Sequence, residues 1–229
     1  MEYDWSQIQM IILSFEKRGL VTRTFRRLDA ERQQAVLGAI LEEAGEKGPA
    51  EVNIKKIAER AGVSIGSLYQ YFGNREGLLS FAVELVVQTV VESFRFYTPM
   101  LAAMPLREAL LAYLKGGEEW TQSQNGFVKF FSMAAYQGNE EFGERVVRPI
   151  AAELRQMVYG ILEAAQARGE ISPELDLEVT TRVVNTFLIA VGDSYLIPAL
   201  NNYYQIWDEK FTPEQAVDAA INLIIHGIG

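Results

Sequence analysis

Residues 53–79, NIKKIAERAGVSIGSLYQYFGNREGLL, combine side-chain types and spacings suited to reading a nucleic acid. Ile54, Ile57, Ala58 and Ala61 fall at i, i+3, i+4 and i+7, which predicts a short amphipathic helix. Gly62 stands where that helix must stop, because glycine enters the left-handed region without a Cβ penalty. Ser64 predicts the N-cap of a second helix. In that helix Leu68 and Phe72 are four residues apart and face inward, leaving Ile65, Gly66, Ser67, Tyr69, Gln70 and Tyr71 facing largely out. This outward set holds no acidic residue. It fits the DNA major groove, where a serine or an amide reads base edges and tyrosine hydroxyls reach phosphates. Gly66 lets the backbone come close. Asn53 is placed to cap the first helix and to offer its N-terminus to a phosphate. Arg75 opens a third helix from the opposite side. A plain three-helix core without a nucleic acid partner would share the inward pattern, but not the coincidence of turn, cap and acid-free face.

The segment AERAGVSIGSLYQYFGNREGLL resembles the DNA-binding signature of the TetR family of bacterial transcriptional regulators, over roughly residues 35–80. Position by position, the resemblance implies DNA contacts from Asn53, Ile65, Gly66, Ser67, Tyr69, Gln70, Tyr71 and Arg75. The family most often has lysine at the position of Arg75; either cation binds a phosphate. Two positions depart from the family pattern: Ala44 and Pro49 stand where aromatic residues are usual, so the core of the small domain should be packed differently. The chain also begins well before the family usually does.

The net charge of −9 over 229 residues argues at first against a DNA partner, but its distribution reverses that. Residues 17–75 hold 11 Lys/Arg against 7 Asp/Glu, whereas residues 76–229 hold 10 against 20. An acidic body with one basic segment orients the encounter with DNA. Cysteine is absent, which excludes disulfides and thiolate metal sites and is compatible with the expected cytoplasmic location. Glu2 and Asp4 stand where a leader would be positive. No apolar run approaches the roughly 18 residues of a spanning helix, so no membrane partner is expected. The only histidine is His226, near the C-terminus and read as an interface or surface residue, and with no cysteine present no Ser/His/Asp or Cys/His constellation is found. There is no phosphate-binding or dinucleotide fingerprint. An enzyme is not expected, and neither cofactor nor metal is implied.

The elements that must position the reading residues are helical throughout, which makes the fold class all-α. Three divisions are expected: an N-terminal extension over 1–24, a helix-turn-helix domain over 25–75, and a larger helical ligand-binding and dimerisation domain over 76–229. In the extension, Trp5, Ile8, Ile12 and Phe15 keep helical spacing and predict a docked amphipathic helix. This helix is expected to cover the small domain near Ala44 and Pro49. The following basic arm, including Arg26 and Arg27, is expected to reach the DNA backbone or minor groove; a solvated linker is the plainer alternative. Further helices are predicted at 29–47, from 75 to about Tyr97 before Pro99, and at 105–122, 125–136, 140–168, 176–201 and 213–227. Pro149 and Pro198 should kink or interrupt theirs.

Aromatic and methionine side chains concentrate mid-chain. Phe94, Tyr97, Trp120, Phe127, Phe130, Phe131 and Met133 are candidates for a small-molecule pocket, with Asn185 and Asp193 as its polar groups. Ordinary core packing accounts for aromatics equally well. Family members usually pair through their last two long helices, which implies a homodimer here. Two half-sites one turn of DNA apart also need two heads related by symmetry. The resulting expectation is a repressor on a palindromic operator, released by a small apolar effector. A regulator controlled by protein contacts or abundance is the alternative, and a small-molecule-processing enzyme a more remote one.

Overall fold

The order of elements follows from where the chain can and cannot continue a helix. The computed structural model describes residues 5–123, 125–208, 210 and 212–228, leaving aside the side chains of 118–125, 196 and 198. Glu2 and Asp4 lie outside the described residues. Helices α1 (Trp5–Lys17), α2 (Arg23–Arg26), α3 (Ala30–Lys47), α4 (Ile54–Ala61), α5 (Ile65–Phe72) and α6 (Arg75–Ala102) come first. They are followed by α7 (Leu106–Ser123), α8 (Asn125–Tyr136), α9 (Glu140–Phe142), α10 (Arg148–Ala167), α11 (Leu177–Leu196), α12 (Pro198–Tyr204) and α13 (Pro213–Ile228). Among the described residues there is no strand. The chain is all-α.

Prolines act in three different ways. Pro99 does not end α6, which runs on to Ala102, while the Thr98 hydroxyl donates to the Phe94 carbonyl at 2.7 Å. Pro149 is preceded by a π-helical turn over Gly143–Val147, a wider turn that accommodates a missing backbone donor. Pro198 does break its helix: Ile197 before it is extended, at φ −124 and ψ 92, as steric pressure from a following proline requires.

Two compact units divide the chain, one of residues 1–91 and 123–150, the other of 92–122 and 151–229. The first unit is larger than a 25–75 domain, because it includes the extension, the first part of α6 and the helix α8. Its centre is an aromatic cluster. Phe25 lies 5.0 Å from Phe72 and 5.5 Å from Phe81, and Phe15 lies 5.9 Å from Phe81. Helix α1 therefore docks on its own chain through Ile8, Ile11, Ile12 and Phe15, with Trp5 half-buried.

The place where it docks differs from expectation. Helices α1 and α2 pack against α5 and α6, whereas the Ala44 and Pro49 side is covered by α8. Close approach explains why aromatics are absent there. A Cβ at Gly45 would lie 2.9 Å from Lys129 Cβ, and one at Gly48 would lie 1.6 Å from Gln137 Oε1. Gly48 also has φ +86, and Gln137 donates to the Lys47 carbonyl at 3.0 Å.

The second unit is built on a separate aliphatic core that includes Leu110, Val158, Ile161, Leu162, Leu188 and Ile221. Helix α6 is long and apolar enough by length and composition to cross a membrane, contrary to the sequence expectation. More than half of its most apolar window is buried in the protein, as in a core helix. At the start of α7 the Glu170 carboxylate accepts from the Leu106 N–H at 2.6 Å and pairs with Arg168. Arg168 in turn donates to the carbonyls of Ala102 and Met104.

The Arg168 guanidinium, followed by the Leu106 N–H, holds the Glu170 carboxyl below its ordinary value of 4.5. A depressed carboxylate stabilises the fold above its unfolded value and loses that contribution as pH falls through its folded one. Glu170→Gln should therefore lower stability at neutral pH. The gap to wild type should close below about pH 4.5, which denaturation curves across an acid series would measure.

Candidate nucleic-acid interface

Each end of the reading segment is fixed by a local bond that its sequence dictates. Asn53 caps α4, its Oδ1 accepting from the N–H groups of Lys55 at 3.0 Å and Lys56 at 3.3 Å. Gly62 closes α4 in the left-handed region, at φ 64 and ψ 30. Ser64 caps α5 by accepting from the Ser67 N–H at 2.9 Å. The two serine hydroxyls also lie 2.9 Å apart, so the Ser67 hydroxyl is committed locally in this state.

Below this turn the buried Glu43 links α3 to α4. It accepts from the Asn53 N–H at 3.3 Å and pairs with Arg60 at 3.3 Å. Arg60 also donates to Glu46 at 2.7 Å and holds the Glu46 carboxyl below its ordinary range.

Leu68 and Phe72 face inward, and Ile65, Gly66, Tyr69 and Gln70 face solvent. Ile65 is 40% and Tyr69 43% exposed, high values for side chains of that size. Ser67 is half-buried. Tyr71 is a correction. It was placed on the outward face, but it is only 7% exposed, its ring lying 5.6 Å from Phe25. Phe25 lies on α2, and the helical spacing of α5 agrees with this burial, since Leu68, Tyr71 and Phe72 fall at i, i+3 and i+4 on one face.

The cations divide by their engagements. Arg75 donates to the Ala50 carbonyl at 2.6 Å, which ties the start of α6 to the 3-10 turn at Pro49–Glu51. A guanidinium has five donors, so Arg75 keeps others for a phosphate. Arg26 is turned to Glu16 on α1, an ion pair within the protein rather than a free contact. Arg27 is exposed. Sequence reasoning missed Thr22. Its hydroxyl donates to the Gln70 carbonyl at 2.8 Å and its N–H to the Tyr71 carbonyl at 2.9 Å.

The proposed pocket residues separate. Phe127 and Phe130 are fully buried in the first unit, with Phe131 and Met133 half-buried on the same helix α8. Phe94, Tyr97, Asn185 and Asp193 belong to the second unit. The Trp120 side chain lies outside the described residues. Within the second unit, Phe94 packs against the aliphatic core, and Tyr97, 40% exposed, has its ring 5.2 Å from that of Phe96. Asn185 is buried, and its Oδ1 makes no hydrogen bond; Thr181, one turn earlier on α11, is buried with its Oγ1 in the same condition. The Tyr113 phenol is pushed up, first by burial and then by the Asp193 charge. An open apolar groove of about 440 Å³ lies along α11 and α13, lined by residues including Phe187, Val191, Ile206, Ala216 and Leu223. Among the described residues no cluster of three His, Cys, Asp or Glu side chains could hold a metal.

Residues 36–80 match the model of the family described as bacterial regulatory proteins, tetR family. The chain is 24% identical over 164 residues to the HTH-type transcriptional regulator BetI 1 of Chromohalobacter salexigens, covering 62% of this chain and 81% of that protein. It is 28% identical over 155 residues to the HTH-type transcriptional regulator SrpR of Pseudomonas putida, covering 67% and 70%. Among solved structures, the transcriptional regulator FadR from Bacillus subtilis, in complex with stearoyl-CoA, aligns with a TM-score of 0.61 at 22% identity. That alignment covers 86% of this chain and 100% of the other.

Phe25 holds this face from behind. Phe25→Ala should cost about 3–5 kcal/mol of folding stability, the usual range for emptying a fully buried phenylalanine site. Chemical denaturation of the two proteins would measure it.

Proposed function

We infer, for a chain that belongs to the TetR family of DNA-binding transcriptional regulators, a repressor that sits on a palindromic operator as a homodimer and leaves it when a small, largely apolar ligand binds. The observation that carries the reading is the exposed face of α5. Ile65, Gly66, Tyr69 and Gln70 are open to solvent on a helix capped at its start and backed by aromatic rings. In this reading Gln70 and Ser67 meet base edges in the major groove, Ile65 and Gly66 give close apolar approach, and Tyr69 and Arg75 meet phosphates. Asn53 presents the N-terminus of α4 to the backbone. Tyr71 keeps a supporting place, with its ring buried.

The second unit supplies pairing and response. Val179, Val183 and Leu223 are 57%, 65% and 66% exposed on α11 and α13, although both helices also feed the core. Aliphatic side chains so placed support a second copy of the chain as the occupant of this face. The stearoyl-CoA held by FadR has the acyl character proposed for the ligand, and Asn185 is offered as a polar group that orients it. Release requires only that the ligand favour the DNA-incompetent arrangement, since differential affinity shifts the population. No catalytic role is assigned.

Selection of bound sequences from a random duplex pool should return a palindrome. Gln70→Ala should relax base preference at one position per half-site, at a cost on the order of 1–3 kcal/mol, and unchanged preference would remove Gln70 from the reading set. A screen of apolar ligands for operator release, with each ligand recovered and analysed, separates a regulator from a processing enzyme: the regulator returns it unaltered.

Pairing is tested at a residue outside the core of the single chain. Leu223→Glu should leave the helical signal intact and convert a dimer to a monomer in sedimentation at micromolar concentration, because the new charge would be buried without a partner. A variant that stays dimeric would move the interface elsewhere.

A further inference from the structure

The last four carbonyls of any helix lack partners within it, and in α5 two of them lie where the helix would read DNA. Here residue 22, which precedes α3 and the family match at 36–80, supplies the missing donors. The Thr22 hydroxyl donates to the Gln70 carbonyl at 2.8 Å, and its N–H donates to the Tyr71 carbonyl at 2.9 Å. The same Oγ1 accepts from the Phe25 N–H at 3.5 Å, which makes Thr22 the N-cap of α2. One residue therefore caps the end of the recognition helix and the start of α2.

The rest of the extension holds Thr22 in place. Phe25 packs on Tyr71, Phe72 and Phe81. Phe15 packs on Phe81, and Arg18 pairs with Glu84 at 2.8 Å. Gln33 of α3 donates to the carbonyls of Phe25 and Arg26 at 3.1 Å each. The arginines of this segment are sorted by these contacts. Arg26 is drawn back to Glu16, whereas Arg23 and Arg27, one helical turn apart, are exposed and enter no ion pair among the described residues. They flank Phe25, whose ring rests on the last turn of α5.

We propose that residues 5–28 are a working part of the DNA-reading surface. Thr22 is a positioning residue that fixes the Gln70 end of the recognition helix, and Arg23 with Arg27 forms a second, sequence-independent phosphate contact beside it. This rests on the reading of α5 as the recognition helix. Two consequences separate it from a merely structural extension. Loss of the Thr22 hydroxyl should act on base reading at Gln70. Loss of the two arginines should act on the salt dependence of binding, because each phosphate contact releases counterions.

The test uses the full chain, the palindrome selected by the wild type, and an unrelated duplex of equal length. Thr22→Val should weaken binding to the palindrome by roughly three- to ten-fold, the range for one missing hydrogen bond. It should relax preference at the position that Gln70→Ala also relaxes, and Thr22→Ser should restore both. Arg23→Ala with Arg27→Ala should weaken binding to both duplexes alike and lower the slope of log affinity against log salt by about 0.9 for each phosphate left unneutralised. Should Thr22→Val fail to fold by circular dichroism, the exposed arginine pair decides the outcome through its slope. Wild-type affinity, preference and salt slope in the valine and arginine variants, while Gln70→Ala still alters preference, would overturn this inference alone. A wild type that selects no sequence would overturn the underlying reading.

Discussion

A helix of eight residues is not stable on its own in water, because nucleation costs more than so few bonds return. The packing around α5 answers one need: to hold this short helix rigid while one face stays bare. The sequence meets that need at both ends and from behind. Ser64 satisfies the first turn, Thr22 the last, and Leu68 and Phe72 anchor the inner face on the Phe25 and Phe81 rings. The outer face then needs no hydrophobic partner from its own chain, so it can keep side chains chosen for another molecule. A helix held only by its inner face would fray at Gln70 and Tyr71, whose carbonyls Thr22 engages.

The local parts of this arrangement were legible because they depend on residues a few positions apart. Asn53, Gly62 and Ser64 act within their own turns, and α3 begins one residue from the expected start at 29, with Asp29 as its cap accepting from the Arg32 N–H. What the sequence concealed depends on distant partners. Tyr71 stands three residues after Leu68, on the inward side of α5, but the ring that meets it there, Phe25, lies 46 positions earlier. Gly48 ends α3 where position 47 was expected to be its last residue, but Gly48 and Gly45 also make room for Gln137 and Lys129. The missing aromatics at Ala44 and Pro49 were a true signal of different packing, attributed to the wrong element. The aromatic concentration was likewise visible, but composition cannot divide it. Phe127 and Phe130 complete the first unit, whereas Phe94 packs on the core of the second.

Charge shows a related separation between count and placement. The basic excess over residues 17–75 survives in the fold only in part, because Arg18, Arg26 and Arg60 are spent on Glu84, Glu16 and on Glu43 with Glu46. The exposed Arg18–Glu84 pair adds little stability, and the shared effect of these pairs is to fix which cations remain available. Those left include Arg23, Arg27 and the unused donors of Arg75, all close in sequence to the ends of α2, α3 or α6. A net charge computed over the segment overstates the attraction, while the positions of the free cations define it.

The second unit follows the same logic with aliphatic groups. Helices α11 and α13 carry more apolar residues than one face requires, and the fold sorts them. Val184, Leu188, Ile221 and Ile224 enter the core, while Val179, Val183 and Leu223 stay outside it. Burying one such side chain is worth roughly 1.5–3 kcal/mol, so leaving several in water on adjoining helices is a cost that a second copy would remove. The buried Asn185 and Thr181 oxygens pose the opposite problem, since a buried acceptor without a donor is destabilising in an apolar core. A face that lacks apolar cover and a core that lacks a donor are complementary deficits. A surface like itself would meet the first, and a group that brings a hydrogen would meet the second, so the two deficits call for different residues of the same helix.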